Sequence, residues 1–204
     1  MRRVVADDLE PLVAALAAGG IVAIPTDTVY GLACRAADRA ACERLLLGKG
    51  RDPAKPSAIV AGSVEALLGV VLAGLDEGVA RRVRVLLPGP VTLVVPNPAG
   101  AFGWLCGETP DRIGVRVPVL DPRLATAIDR VGALLLTSAN AAGEPAATTW
   151  GELEPIAALA VVGVDGGPCP GGVASTVVDV VGPEPRLVRP GPVSLEAIRL
   201  RLGM

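Results

Sequence analysis

The apolar run Ile21-Val22-Ala23-Ile24 opens after Gly19-Gly20 and stops at Pro25, so this part of the chain reads as a short buried strand with a polar end. Proline has no N–H to give a strand ladder, so pairing stops there. Thr26-Asp27-Thr28-Val29-Tyr30-Gly31-Leu32 then follows, bringing hydroxyls, a carboxylate and a phenol. A second apolar run, Gly132 to Leu136, ends the same way in Thr137-Ser138-Ala139-Asn140. Open α/β sheets hold ligands at the carboxyl ends of their strands, so the two clusters predict a shared pocket. Between them in sequence, Lys49, Arg51 and Lys55 place three cations within seven residues, and concentrated positive charge beside hydroxyls suits an anion.

Elsewhere, helix caps alternate with strand-like runs. Asp7 or Asp8 is placed to cap a first helix carrying Leu9, Val13, Leu16 and Ala17, which Gly19-Gly20 ends. Asp38 precedes a second helix, Ser63 a third, Asp121-Pro122 another and Ser194 the last. A further helix spans Val79 to Leu87, with Arg81, Arg82 and Arg84 on its wet side, and a short one lies near Thr149 to Ala158. Strand candidates are Ser57 to Val60, Val91 to Val95, Arg112 to Val117, Val161 to Val164, Thr176 to Val181 and Arg186 to Val188. Asn97 to Thr109 and Gly166 to Val173 read as loops. Strands alternating with helices predict an α/β domain; strand order and the antiparallel share stay open.

A chain of 204 residues suits one domain, taken as residues 1–204, with a full core. Hydrophobic residues make up 51% and aromatics only 2%, so that core must be built from Ala, Val, Leu and Ile. A net charge of −2 argues against a general nucleic-acid binder, which needs a surplus of Lys and Arg. Histidine is absent, which removes mechanisms that use imidazole as base, acid or metal ligand. Cys34, Cys42, Cys106 and Cys169 are scattered, without a C-x-x-C pair, and read as small buried hydrophobes, reduced in a cytoplasmic protein. No uninterrupted apolar stretch approaches the roughly 18 residues of a membrane helix.

Taken singly, the polar residues have ordinary explanations. Lys49, Arg51 and Lys55 fit a solvated turn complementing a helix dipole as well as a phosphate clamp. Gly48-Lys49-Gly50 is not a Walker loop, because no Ser or Thr follows the lysine. Ser138 and Asn140 could cap a helix or close a turn, Arg116 could be an edge charge and Arg189 a surface residue.

Seven blocks in order change that balance. Pro25 to Leu32, Lys49-x-Arg51 with Lys55-Pro56, Pro88-Gly89-Pro90-Val91-Thr92 and Arg116-Val117-Pro118 resemble the YrdC/Sua5 family. So do Thr137-Ser138-Ala139-Asn140, Ser175-Thr176-Val177-Val178-Asp179 and Arg189-Pro190-Gly191, and together the blocks span roughly residues 10–193. The resemblance implies a single YrdC-like α/β domain, a twisted mixed sheet flanked by helices around a basic concave cavity. It implies a threonylcarbamoyl-AMP synthase that uses L-threonine, bicarbonate and ATP, releases pyrophosphate and serves the threonylcarbamoyladenosine modification of tRNA. The chain reaches Met204 soon after Arg189-Pro190-Gly191, so the expected type is the short form without the C-terminal domain of longer Sua5 proteins.

Carried over by position, the resemblance gives Thr28, Arg116 and Ser175 to threonine, Arg116 pairing with its carboxylate. It gives Lys49 and Arg51 to the nucleotide phosphates as the catalytic pair. Lys55, Ser138, Asn140 and Arg189 complete the ATP site. Three positions depart from the family pattern: Val60 where several relatives have histidine, Arg112 where a small hydroxyl residue is common, and Ala146 where many have serine. Each alters one expected polar contact and bears on ATP affinity and threonine selectivity.

The implied chemistry needs no imidazole. Threonine's amine and bicarbonate give an N-carboxylate, already an anionic nucleophile, which attacks the α-phosphorus of ATP. The protein's part is then positioning and charge neutralisation, with Mg²⁺ carried by ATP and no dedicated metal cage. Asp27 reads as a turn residue rather than a metal ligand. The labile carbamate calls for a flap, with Asp52-Pro53-Ala54 or residues 141–149 as candidates. A separate threonylcarbamoyl transferase complex would take the product, and direct tRNA contact stays open. The competing readings are a YciO-like or carbamoyl-transferring relative of altered substrate, and a tRNA- or rRNA-binding module without turnover. Scarce stacking aromatics count against the last.

Overall fold

The computed structural model describes residues 1–52, 55–141 and 143–204. Helix starts follow the caps in most cases. Asp38 accepts from Ala41 N at 2.9 Å to open α2 (Arg39–Gly48), and Ser63 accepts from Ala66 N at 3.1 Å to open α3 (Val64–Ala66). Asp121 accepts from Arg123 N at 2.8 Å before α5 (Pro122–Val131), and Ser194 from Ala197 N at 3.2 Å before α6 (Leu195–Arg201). Asp76, which the sequence pattern did not single out, caps α4 (Glu77–Leu86).

The first helix, α1 (Glu10–Ala17), differs from expectation. Neither Asp7 nor Asp8 caps it; Leu9 occupies the cap position without a side-chain hydrogen bond, and Asp7 pairs with Arg123 instead. The reason lies in Pro11, which stands where one of the cap-seeking N–H groups would be. The segment near Thr149 is a 3₁₀ helix, Trp150–Leu159, because Pro155 inside it cannot donate to an α-helical ladder.

Ten strands form one mixed sheet. They are β1 (Arg2–Val4), β2 (Val22–Ile24), β3 (Gly31–Arg35), β4 (Ala58–Val60) and β5 (Val91–Pro96). The others are β6 (Arg112–Arg116), β7 (Leu134–Ser138), β8 (Val162–Val164), β9 (Thr176–Asp179) and β10 (Arg186–Arg189). Their order is β1-β8-β2-β3-β7-β4-β6-β5-β9-β10. Sequence pattern misses two of them. β1 is a three-residue edge strand of which only Val4 is buried, so it has no alternation to read. β3 is rich in Gly, Ala and Cys rather than β-branched residues, yet it pairs antiparallel with β2, Gly31 opposite Ile24. The polar cluster after Ile24 is therefore a hairpin loop, not the end of a strand leading to a helix.

Strand alternation sends side chains to two cores. Ala23, Leu32, Cys34, Ile59, Leu93, Ile113, Val115 and Leu135 face α2 and α4 through Cys42, Leu45, Val83 and Leu86. Val22, Ile24, Ala33, Leu134, Val162 and Val164 face α1 and α5 through Leu12, Leu16, Leu124 and Ile128. The sheet is wider than that second pair of helices. Residues paired across a ladder share a face, and Leu136 pairs with Ala58, Ala58 with Gly114 and Gly114 with Val94. Leu136 still packs against that second core, and Ala58, Gly114 and Val94 continue the same face past it. All four cysteines are buried thiols. Among the described residues no helix is long and apolar enough to cross a membrane.

Leu16 is fully buried between α1 and the sheet face. Leu16→Ala should lower unfolding free energy by about 2–5 kcal/mol, read from urea denaturation; a change near zero would mean that α1 does not hold that face.

Candidate functional site

On the part of the sheet that α1 and α5 leave bare lies a cavity of about 260 Å³. Ala58, Val60, Val94, Gly114, Leu136 and Val177 line it as an apolar floor. A Cβ on Gly114 would meet only ordinary contacts, with Ala58 Cα at 3.7 Å, Ser57 O at 3.9 Å and Thr92 Cγ2 at 4.0 Å. Crowding does not demand glycine there; its absence of a side chain keeps the floor low. Around the floor stand Arg51, Arg112, Arg116 and Arg189, with hydroxyls from Thr28, Ser57, Thr92, Ser138 and Ser175. Among the described residues no carboxylate lines the cavity.

The hairpin loop between β2 and β3 forms one wall. Thr26 Oγ1 accepts from Thr28 N at 3.1 Å and Val29 N at 3.2 Å, donates to Val29 O at 2.6 Å, and lies 2.9 Å from Thr28 Oγ1. That closed set turns Thr28 toward Arg116, whose Nη2 donates to Thr28 Oγ1 at 3.0 Å and to Asp27. Asp27 also accepts from Val119 N at 3.1 Å. Asp27 is thus the counter-ion of a buried arginine. Burial pulls the Arg116 guanidinium below its ordinary pKa, Asp27 pushes it back up, and Arg189 lowers it again. Its side chain is 7% exposed, and its Nε has no hydrogen-bond partner among the described residues.

Arg189 donates to Ser175 O at 2.8 Å and Ser175 Oγ at 3.3 Å, and Ser175 Oγ lies 2.8 Å from Thr92 Oγ1. Arg51 donates to Pro56 O at 2.7 Å, and its buried Nε has no partner among the described residues. Burial lowers the pKa of both arginines, and the charge of Arg51 lowers Arg189 further. Cations that destabilise one another across an uncharged floor call for an anion between them.

Lys49 takes a different place. Its Nζ donates to Ser138 O and Asn140 Oδ1, both at 2.9 Å, and to Asn140 O. Ser138 Oγ donates to Asn140 Oδ1 at 2.6 Å, and Asn140 Nδ2 to Glu144 O at 2.6 Å. Burial first, then Arg51, lowers the Lys49 pKa. The lysine therefore clamps the turn after β7, and that turn sits beside the hairpin because Gly31 pairs with Ser138.

Thr28, Arg51, Arg116, Ser138, Ser175 and Arg189 thus meet on one cavity, whereas Lys49 and Asn140 are not among its lining residues and Lys55 is an exposed residue off the lining. Of the three departures from the family pattern, Val60 lies in the floor and Arg112 on the rim, while Ala146 does not line the cavity. Residues 53 and 54 of the first flap candidate and 142 of the second lie outside the described residues. Sequence reasoning did not assign Arg112 to a ligand. Its spacing held the signal, since Arg112, Gly114 and Arg116 alternate along β6 and share a face. Arg112 Nη1 donates to Asp179 Oδ2 at 2.9 Å, and Asp179 also accepts from Arg186 at 2.7 Å and Val181 N at 2.9 Å.

The family profile Sua5_yciO_yrdC, described as telomere recombination, matches residues 14–191. A threonylcarbamoyl-AMP synthase of Xanthomonas axonopodis is 40% identical over 159 residues, covering 77% of this chain and 84% of that protein. The human threonylcarbamoyl-AMP synthase is 36% identical over 192 residues, covering 90% of this chain and 67% of that protein. Pyrococcus abyssi Sua5 in complex with L-threonine superposes with a TM-score of 0.85 at 30% identity, over 99% of this chain. This chain spans 60% of that Sua5 chain. Escherichia coli YciO, at 20% identity and a TM-score of 0.81, shares the fold over 97% of each chain.

The rim also carries a pH signature. Burial alone would raise the Asp179 carboxyl, but the Val181 N–H and the guanidiniums of Arg186 and Arg112 outweigh it and hold the group low. A carboxyl held low in the fold contributes stability above its unfolded pKa and loses it as pH falls through the folded one. The thermal-stability gap between wild type and Asp179→Asn should be full near neutrality and close below about pH 4. A gap that stays constant from pH 7 down to the acid limb would show that the carboxylate charge is not what holds the rim.

Proposed function

This chain belongs to the Sua5/YciO/YrdC family, and we propose that it is a threonylcarbamoyl-AMP synthase acting on L-threonine, bicarbonate and ATP. The observation that carries the reading is the cavity itself, with four guanidiniums and a ring of hydroxyls over a low apolar floor. That arrangement suits a molecule with anionic ends and a flat or apolar middle, as a nucleotide beside an amino acid would be.

Threonine enters at the Arg116 end. The guanidinium is fixed by Asp27 and Thr28, its buried Nε has no partner among the described residues and is free to be offered to a carboxylate, and Thr28 and Ser175 supply hydroxyls. The amine of threonine takes up bicarbonate with loss of water, giving an N-carboxylate. One oxygen of that carboxylate attacks the α-phosphorus of ATP; the bond to the bridging oxygen breaks, and pyrophosphate leaves with its electron pair. The products are threonylcarbamoyl-AMP and pyrophosphate.

No proton must be taken from the nucleophile at the phosphorus, so the absence of histidine is no obstacle. The requirement is electrostatic. Arg51 and Arg189 face the anion and neutralise charge that builds on the phosphoryl oxygens. Lys49 acts through the turn it clamps, setting Ser138 against the nucleotide. Mg²⁺ belongs with the ATP phosphates, because the lining offers cations and alcohols rather than carboxylates. The mixed anhydride product is open to hydrolysis, and in this reading it passes to a tRNA-directed transferase in the cytoplasm.

Pyrophosphate release from ATP should require both L-threonine and bicarbonate. Arg51→Ala should lower kcat/KM by about a hundredfold or more, and Lys49→Ala should also reduce it sharply. Equal release with serine, or with no amino acid, would remove the threonine assignment. A second variant tests the cavity directly. Gly114→Val should fold with little loss of melting temperature, since the new Cβ meets only ordinary contacts, yet abolish the rise in melting temperature that ATP gives. Undiminished stabilisation by ATP would place the nucleotide elsewhere.

A further inference from the structure

Arg112 lines the cavity but has no part in the chemistry described so far. β4 and β6 run parallel with Ala58 opposite Gly114, so Ser57 and Arg112 lie at the same, amino-terminal end of the floor. Arg51 joins that end through its hydrogen bond to Pro56 O. Arg116 stands four residues further along β6, which at strand spacing is about 13 Å away. Arg112 and Arg116 are thus too far apart, backbone to backbone, to serve one carboxylate side by side.

Two further observations describe a built position rather than a stray surface charge. Arg112 is tethered by Asp179, a carboxylate only 5% exposed that is itself fixed by Arg186 and Val181 N. The tether uses Nη1 and, among the described residues, leaves the other guanidinium nitrogens without a hydrogen bond of normal length; Asp111 Oδ2 lies 3.8 Å from Nε. Ser57 is 5% exposed, lines the cavity, and its Oγ has no hydrogen-bond partner among the described residues. A buried hydroxyl left unpaired in a native fold needs a partner that a ligand can supply.

Resting on the synthase reading, we propose that Arg112 and Ser57 bind the outer phosphates of ATP and hold the departing pyrophosphate. Arg112 adds a third guanidinium to Arg51 and Arg189 on the cavity lining, a number that suits a polyphosphate rather than a single phosphate. In this arrangement Arg51 and Arg189 take the α-phosphate, and Arg112 with Ser57 takes the phosphates beyond it. The site therefore separates ATP and pyrophosphate from AMP, and leaves the threonylcarbamoyl-AMP product less tightly gripped once pyrophosphate has gone.

Calorimetric binding of pyrophosphate, AMP and the non-hydrolysable ATP analogue AMP-PNP to purified wild type, Arg112→Gln, Ser57→Ala and Arg186→Gln tests this. Arg112→Gln should weaken pyrophosphate and AMP-PNP about tenfold or more while AMP binding stays the same. Ser57→Ala, a smaller change that keeps the tether intact, should weaken pyrophosphate about threefold. Arg186→Gln removes the other guanidinium from Asp179 but leaves Arg112, and should bind pyrophosphate as wild type does. Equal weakening of AMP and pyrophosphate in Arg112→Gln overturns the proposal, as does an Arg186→Gln protein that behaves like it. Should Arg112→Gln fail to fold, unchanged pyrophosphate affinity in Ser57→Ala overturns it alone. The synthase reading is judged separately, by threonine- and bicarbonate-dependent pyrophosphate release from the wild type.

Discussion

A twisted sheet ten strands wide is flanked on one face by helices that do not reach across it, and that shortfall creates the cavity. Beyond Leu136 the face passes to Ala58, Gly114 and Val94, which are too small to fill the space that a helix would occupy. The same strands bury Ile59, Ile113, Val115 and Leu93 on their other side, so the bare face is backed by a packed core and cannot collapse. A rigid floor with side chains converging from its edges is the kind of platform on which a reactive geometry can be held without cost at the moment of reaction.

Charge then decides what the platform can accept. Four arginines border it, yet their situations differ. Arg116 has a carboxylate in Asp27 and Arg112 one in Asp179. Arg51 and Arg189 instead rest on backbone carbonyls; burial lowers the pKa of both, and the charge of Arg51 lowers that of Arg189 further. The paired arginines are fixed pointers; the other two supply the positive potential. Burying one member of a pair without the other would cost several kcal/mol, which explains why Asp27 stands next to the buried Arg116 guanidinium although it does not line the cavity itself.

Much of this was legible in the residue order. Asp38, Ser63, Asp121 and Ser194 announced their helices because a cap is a local contact made within a few residues. The seven blocks located Thr28, Arg51, Arg116, Ser138, Ser175 and Arg189, which do share one cavity. Strand β3 escaped because Gly31-Leu32-Ala33-Cys34 carries little β-propensity and is held by its neighbours β2 and β7. The resemblance gave Lys49 to the phosphates; its hydrogen bonds to Ser138 and Asn140 join residues about ninety positions apart and are not legible in the residue order.

By itself the sequence determined the local choices: where helices start, which runs alternate, and which polar residues stand close together along the chain. Tertiary structure decided which of those residues share a surface. Arg112 and Asp179 are far apart in sequence, and so are Arg116 and Asp27, because register between distant strands depends on how two cores fill at once. Pairing across a sheet is a global energy, summed over both faces, and no short window of residues contains it.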